Sequence, residues 1–214
     1  MPLTLIRATP SPFARINRIA PHEKGIPFEL KNEVPWDSTT ETPKHNPLEK
    51  LPILITDDGT SVYDSAHTQE YIIQKYASQG PKLIPDDIDS ALKARQIQVL
   101  AEGQMDAIAL LFFEEAREHP SPEWLARQNR KIDGAFKAYS ELVKNASGHF
   151  SVENVFSIAD IAVACGIQMA DLLKKRPGWQ EQYPELATWW RKIEERESFQ
   201  KTVPVMFELK DKIV

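Results

Sequence analysis

Apolar and polar positions follow two different periods along the chain. Near the N-terminus, the short apolar runs Leu3–Ala8 and Phe28–Asn32 are typical of strands, and Pro12–Lys24 between them has apolar residues at helical spacing. This order predicts a β-α-β unit with parallel strands and a right-handed crossover. Gly25 is placed to end the helix, whereas Pro21, inside it, should bend or end it earlier.

The next stretch alternates between loop, strand and helix. Glu33–Lys50 is polar and rich in proline, and predicts an irregular loop with room for one helical turn. Leu51–Thr56 and Ser61–Tyr63 predict an antiparallel hairpin around Asp57-Asp58-Gly59, and Ala66–Tyr76 predicts a helix. The order β-α-β, loop, β-β-α is that of a thioredoxin-like unit.

After a linker rich in proline and glycine, only helical spacing remains. The predicted helices are Ser90–Glu118, Glu123–Asn145 ended by Ser147-Gly148, Ser157–Lys175 and Pro184–Arg196. We therefore predict a two-domain α+β protein: a thioredoxin-like domain at 1–80, a linker at 81–89 and an all-α helical bundle at 90–214. Val203–Val214 is expected to form an irregular tail or a short helix.

One helix start is unusually well marked. Ser157 at the N-cap, with Asp160 three residues later, predicts a capping box, and Phe156 and Ile161 are spaced as a hydrophobic staple. We expect this feature to be structural. The loss of either cap residue should cost about 1 kcal/mol.

Composition narrows the classes of function. The 214 residues are 42% hydrophobic and 27% charged, and the net charge of −5 gives no reason to expect nucleic acid or an anionic membrane as a partner. The apolar run before Arg7 is too short for a secretory signal, and no run approaches the ~18 residues of a membrane span. A cytoplasmic protein is expected. Cys165 is the single cysteine, so an internal disulfide is excluded; it is expected in the core, and no metal site is predicted.

Three places in the first domain carry candidate chemistry. Ser11 falls at the N-cap of the first helix, where a hydroxyl at the positive helix end can hold a thiolate or another anion. If the Leu51-Pro52 bond at the entrance to a strand is cis, the Leu51 backbone is free to pair with an extended peptide. Asp64 precedes Ser65, the predicted N-cap of the next helix, and the pair suits an ammonium and a carboxylate. A plain helix cap or strand-entry proline is the alternative at each place.

Taken in order, these motifs resemble the glutathione S-transferase family. The matching pieces extend over roughly residues 3 to 200: Ser11-Pro12-Phe13-Ala14-Arg15, Glu23-Lys24-Gly25-Ile26-Pro27-Phe28, Asn46-Pro47-Leu48-Glu49-Lys50-Leu51-Pro52, Asp64-Ser65 with Glu70-Tyr71-Ile72, and Phe156-Ser157-Ile158-Ala159-Asp160. The chain looks closest to serine-bearing members of bacterial and fungal type. The resemblance implies the fold of that family and a homodimer.

The resemblance also implies a role for each matching residue of the first domain. Ser11 would donate a hydrogen bond to the sulfur of glutathione. Leu51, before a cis Pro52, would pair its backbone with the cysteinyl part. Asp64 and Ser65 would hold the γ-glutamyl end.

Further residues are implied less directly. Lys50 would approach the glycine carboxylate of glutathione. Asp106, with Glu102 as the other candidate, would reach the glutathione of a neighbouring subunit. An electrophile pocket between the domains is expected from Thr9, Pro10, Trp36, Phe112 and Phe113.

The function implied is a glutathione-dependent transferase of the detoxification type, with glutathione as co-substrate and no metal. A thiol of pKa about 8.5–9 is mostly protonated at neutral pH, and Ser11 with its helix would favour the thiolate that attacks a small electrophile. Serine rather than cysteine at this position argues against mixed-disulfide chemistry. Two alternatives stay open, because a fold does not determine a function: a non-catalytic glutathione- or partner-binding module, and a glutathione-dependent isomerase, lyase or peroxidase.

Overall fold

The computed structural model describes residues 2–146, 148 and 154–207. The chain forms two compact units, one made of the residues through Lys82 with the segment from Glu197, and the other of Leu83–Arg196. The predictions for Ser147 and for residues 208–214 lie outside the described residues.

A four-stranded mixed sheet lies in the first unit, in the order β2-β1-β3-β4. Its strands are β1 (Leu3–Arg7), β2 (Phe28–Asn32), β3 (Ile53–Ile55) and β4 (Ser61–Val62). β1 pairs in parallel with β2 and antiparallel with β3, and β3 pairs antiparallel with β4. The predicted thioredoxin-like order is confirmed. β3 begins only after Pro52, because proline has no N–H to donate to the ladder.

Three helices follow from local signals in the same unit: α1 (Pro12–Lys24), the single turn α2 (Thr42–His45) and α3 (Ser65–Lys75). Gly25 ends α1 at φ 67°, with its N–H on the His22 carbonyl, as predicted. Of the two effects expected of Pro21, a bend or an earlier end, the earlier end does not occur, since α1 continues to Lys24. Pro21 lies in the final turn, where its missing N–H removes one bond, and its own carbonyl accepts from the Ile26 N–H at 2.9 Å.

The second unit is helical in its described part. Its helices are α4 (Ile88–Glu115), α5 (Pro122–Lys144), α6 (Ile158–Leu172), α7 (Trp179–Gln182) and α8 (Pro184–Glu194). The four predicted helices are present with shifted ends, and the four-residue α7 is additional because it is too short to show a period. None of the described helices combines the length and apolarity that a membrane span requires.

The core of the second unit is centred on α6, which is buried along nearly all of its length. Cys165 is fully buried there, as predicted. A side chain at Gly166 would collide with the amide of Gln104 on α4, so the glycine allows the two helices to approach closely. The same amide oxygen accepts from the buried Tyr139 hydroxyl at 2.8 Å, which connects α5 to the contact.

The capping box at the start of α6 is confirmed. The Asp160 carboxylate accepts from the Ser157 N–H at 2.8 Å, and the Ser157 hydroxyl accepts from the Ala159 N–H at 3.2 Å. Both cap side chains are fully buried. The Ile158 N–H donates to the Leu83 carbonyl at 2.9 Å, so this cap also anchors the entry to the second unit.

A last short helix, α9 (Glu197–Gln200), lies with the first unit. The guanidinium of Arg15 donates to the Phe199 carbonyl at 3.1 Å, and that of Arg18 donates to the Thr202 carbonyl at 3.0 Å. Both arginines are buried. The domain prediction grouped every residue after 90 with the bundle, whereas these buried contacts from α1 join the segment after Arg196 to the first unit.

The cap of α6 yields a stability prediction. Asp160→Ala should lower the free energy of unfolding by about 2 kcal/mol, because the Ser157 N–H and hydroxyl lose their acceptor in a dry site. The matched control is Asp87→Ala at the exposed N-cap of α4, where Asp87 accepts from the Ser90 N–H at 2.9 Å and water can replace it. Urea denaturation should show a clearly smaller loss for the control; equal losses would contradict the buried-cap interpretation.

Candidate functional site

Three strand ends meet at one edge of the sheet. β1 runs toward this edge and leads to Ser11, and β4 runs parallel to β1 and leads to Asp64. β3 begins at the same edge, because Ile6 lies opposite Ile53 in an antiparallel register. Continuing that register places Leu51 beside the turn before Ser11. The structure therefore brings the predicted residues of these three places to a common edge.

Ser11 is the N-cap of α1, as predicted. Its Oγ accepts from the Ala14 N–H at 3.2 Å, and its own N–H closes the turn on the Ala8 carbonyl at 3.2 Å. The side chain is half-buried, and its hydroxyl hydrogen has no acceptor within the described part of the chain. The oxygen thus accepts from the helix while the hydrogen remains available to an anion in front of α1.

The backbone at Leu51 is open to a partner. The Leu51–Pro52 peptide bond is cis. Over the ranges that the structure describes, the Leu51 N–H and carbonyl make no hydrogen bond. The preceding turn is held by the buried Asn46, whose amide donates to the Lys50 carbonyl at 2.9 Å and accepts from the Leu48 N–H at 3.0 Å. The Lys50 side chain is exposed.

The cap of α3 differs from the prediction. Asp64, not Ser65, is the N-cap, and its carboxylate accepts from the Ala66 N–H at 3.2 Å. The prediction was wrong by one residue because aspartate and serine are both good caps and stand side by side. Ser65 is instead the first helical residue and is 6% exposed. Its N–H is one of the first-turn donors that the helix itself cannot satisfy.

Sequence reasoning missed the residue that joins these two helix starts. The amide nitrogen of Asn17 lies 2.8 Å from the Ser65 hydroxyl, 3.1 Å from the Ser65 carbonyl and 3.1 Å from the Phe13 carbonyl. The Ser65 hydroxyl in turn donates to the Phe13 carbonyl at 3.2 Å. Asn17 is 1% exposed. The one signal in the sequence is a polar residue beside Ile16 on the buried face of an amphipathic helix.

The loop between β2 and α2 is ordered around Glu33. Its carboxylate accepts from Lys31 at 2.9 Å, from the Thr40 hydroxyl at 2.7 Å and from the Thr42 hydroxyl at 2.9 Å. Burial alone would raise the pKa of Glu33, but these hydrogen bonds outweigh it and hold the pKa at about 2. The loop that carries Trp36 is therefore fixed at its base.

The remaining candidates lie on α4, in the second unit. Phe112 and Phe113 are half-buried and meet edge to face at 5.4 Å. Glu102 accepts from the Gln98 amide at 3.0 Å, whereas Asp106 is exposed. The contact of Phe112 and Phe113 with the electrophile stays a prediction. So does the contact of Asp106 or Glu102 with the glutathione of a neighbouring subunit.

Metal-binding groups do not converge in this region. The described residues contain no group of three or more His, Cys, Asp or Glu side chains that are arranged to hold a metal ion.

Two family models match the chain. The model described as the glutathione S-transferase N-terminal domain matches residues 10–74, which include Ser11, Leu51 and Ser65. The model described as the glutathione S-transferase C-terminal domain matches residues 103–197. The uncharacterized GST-like protein YibF of Escherichia coli strain K12 is 33% identical over 204 residues, covering 94% of this chain and 98% of YibF.

Two solved structures are similar over 95% or more of this chain. A glutathione S-transferase from Methylobacterium radiotolerans, in complex with glutathione sulfonate, is 40% identical with a TM-score of 0.94, and all of both chains is covered. A glutathione S-transferase from Methylobacillus flagellatus with glutathione bound is 31% identical with a TM-score of 0.89, covering 95% of this chain and 100% of the other.

The Asn17 contacts yield a prediction of stability. Asn17→Ala should lower the free energy of unfolding by about 2 kcal/mol, because the buried Ser65 hydroxyl and the Ser65 and Phe13 carbonyls all lose the amide donor. Asn129→Ala is the matched control, since Asn129 makes the same amide-to-carbonyl contact one helical turn back, to Leu125 at 3.0 Å, on an exposed surface. Its effect should stay within about 0.5 kcal/mol. Thermal unfolding that shows similar losses for both variants would contradict this role.

Proposed function

This chain belongs to the glutathione S-transferase family, and we propose that it is a serine-type member that binds glutathione and activates its thiol for attack on small electrophiles. The observation that supports this most is the Ser11 hydroxyl, which accepts from α1 and keeps its hydrogen for an anion. The bound glutathione and glutathione sulfonate of the two bacterial relatives support the choice of ligand.

The proposed binding mode uses each open group at the sheet edge. The N–H and carbonyl of Leu51 pair with the cysteinyl backbone as an added strand would. The γ-glutamyl carboxylate meets the Ser65 N–H at the start of α3, while the exposed carboxylate of Asp64 pairs with the ammonium. The Ser65 hydroxyl already donates to the Phe13 carbonyl, so the Ser65 backbone N–H is proposed as the main donor to the γ-glutamyl carboxylate. Lys50 is proposed to meet the glycine carboxylate.

The proposed reaction follows from that placement. The Ser11 hydroxyl donates to the sulfur, and the unsatisfied first-turn N–H of Phe13 adds positive potential, so the thiolate is favoured over the thiol. The thiolate forms a bond to an electrophilic carbon, and the leaving group departs with its electron pair. With an enone, the enolate takes a proton from water instead. Trp36, in the same unit as Ser11, is proposed to contact the electrophile.

Substitution of Ser11 tests the activation step. Ser11→Ala should lower the rate of conjugation about tenfold or more and leave glutathione affinity largely intact, because the thiolate loses one charge-assisted hydrogen bond. Ser121→Ala is the matched control: Ser121 also caps a helix before a proline and accepts from the Trp124 N–H at 3.3 Å.

The assay should use a panel of haloaromatic, epoxide, enone and peroxide substrates, with affinity measured by calorimetry. An unchanged rate in Ser11→Ala would remove Ser11 from the mechanism. Binding of glutathione without turnover on the whole panel would favour the non-catalytic binding module.

We further propose that the protein is a homodimer in which α4 of one copy contacts α4 of the other. Leu92 and Val99 are 59% and 61% exposed on one face of that helix, and Leu110 follows on the same face at 44%. Between Val99 and Leu110, a side chain built at Gly103 would meet nothing within 4 Å among the described residues, apart from the backbone of its own helix. Glycine destabilises a helix, and no close contact among the described residues requires one at this position. A glycine here would allow the helix of a second copy to approach closely. Asp106 lies on this face, where it would point toward the other copy.

A charged residue introduced on this face of α4 tests the dimer proposal. Val99→Glu should convert the dimer to monomers in sedimentation-velocity runs at micromolar concentration, because two carboxylates would be buried against each other across the symmetry axis. Leu48→Glu, at a residue that is 66% exposed in the other unit, should leave the sedimentation coefficient unchanged. A monomeric wild-type protein, or a dimeric Val99→Glu variant, would contradict the proposal.

A further inference from the structure

The hydroxyl of Ser65 is fully engaged inside the protein. It donates its hydrogen to the Phe13 carbonyl at 3.2 Å, and its oxygen accepts from the Asn17 amide at 2.8 Å. An ionised carboxylate can only accept hydrogen bonds, so a hydroxyl whose hydrogen is already used has none to donate to it. The Ser65 backbone N–H makes no hydrogen bond within the described part of the chain, and it is the donor that this residue still offers to an anion in front of α3.

Asn17 holds Ser65 from the side that faces α1. Its amide nitrogen lies 3.1 Å from the Ser65 carbonyl as well as 2.8 Å from the Ser65 hydroxyl, so one group holds both the backbone and the side chain. The same nitrogen lies 3.1 Å from the Phe13 carbonyl, two residues after Ser11. Asn17 is 1% exposed and is therefore too buried to touch a ligand itself. The first turns of α1 and α3 are thus joined at a fixed separation by a side chain behind the site.

The amide of Asn17 uses only one of its two ends. The nitrogen makes the three contacts to Ser65 and Phe13, whereas the oxygen is buried and has no hydrogen-bond partner among the residues that the structure describes. Burial of an unpaired polar atom is unfavourable, and an apolar side chain at this position would avoid that cost. The arrangement therefore favours a role for the amide nitrogen that goes beyond filling the interior.

We propose that Asn17 is a positioning residue for the γ-glutamyl carboxylate of glutathione. It sets the distance between the Ser65 N–H, which meets this carboxylate, and the start of α1, where Ser11 meets the sulfur. The proposal rests on the proposed function, because both contacts belong to the binding mode proposed above. Without the amide, the first turn of α3 loses its contacts to Asn17, and the Ser65 N–H is aimed less well at the carboxylate. A hydrogen bond weakens steeply when its donor is misaligned, so the carboxylate then contributes less to binding.

A comparison of two ligands separates positioning from stability. One is glutathione, and the other is its analogue in which the α-carboxylate of the γ-glutamyl residue is a primary amide. Calorimetry well below the unfolding temperature gives the ratio of the two affinities, which a loss of folded protein would leave unchanged. In the wild-type protein glutathione should bind at least about tenfold more tightly than the amide, and Asn17→Ala should lower this ratio at least about threefold. Asn129→Ala, which removes an exposed amide-to-carbonyl contact on α5, should keep the wild-type ratio.

Two further variants complete the test. Asn17→Val fills the interior without a donor and should lower the ratio as Asn17→Ala does. Ser65→Ala keeps the N–H and the contact of Asn17 to the carbonyl, so the ratio should fall less than in Asn17→Ala. A wild-type ratio in both Asn17 variants, or a loss in Ser65→Ala as large as that in Asn17→Ala, would overturn the role of Asn17 and leave the proposed function standing. If the wild-type protein does not bind glutathione, both proposals fail; if it binds both ligands equally, the carboxylate contact and the role of Asn17 fail.

Discussion

The buried amide of Asn17 is the contact on which the arrangement of the first unit depends. It holds the start of α3 against the first turn of α1 through the Ser65 hydroxyl and the two carbonyls of Ser65 and Phe13. Two helix N-termini, each positive, are thereby fixed at the same edge of the sheet. The proposed site follows from this constraint: one helix end is proposed to face the glutathione sulfur and the other its γ-glutamyl carboxylate. The Leu51 backbone, which makes no hydrogen bond in the described part of the chain, lies between them in the sheet order.

Features that depend on neighbouring residues could be predicted from the sequence. Ser11 at its cap, Gly25 at the helix end and the box of Ser157 with Asp160 are local signals, and each is confirmed. Contacts between distant residues could not be predicted. Asn17 and Ser65 are 48 positions apart, and Arg15 reaches a carbonyl 184 positions away. No hydrophobic period or sequence motif predicts such pairs, because the packing of the whole unit determines which distant residues come into contact.

The position of the segment after Arg196 also could not be predicted, because it too depends on contacts between distant residues. Helical spacing indicated only that helices continue, and the domain prediction therefore placed all of them together. The buried guanidinium groups of Arg15 and Arg18 donate to the carbonyls of Phe199 and Thr202, and these contacts hold the segment in the first unit. The Ser11 hydroxyl, the segment after Arg196 and the loop ordered by Glu33 consequently belong to one structural unit, in which thiol activation is proposed to occur.

Thiol activation by the protein can be measured by titrating the sulfur of bound glutathione. The thiolate absorbance of glutathione in its complex with the wild-type protein is followed as a function of pH, with calorimetry confirming that the ligand is bound. We predict an apparent thiol pKa of about 6.5–7 in the complex, against about 8.5–9 for a free thiol, because the Ser11 hydroxyl and the α1 N-terminus are proposed to favour the anion. A bound thiol that ionises at the free value would contradict it.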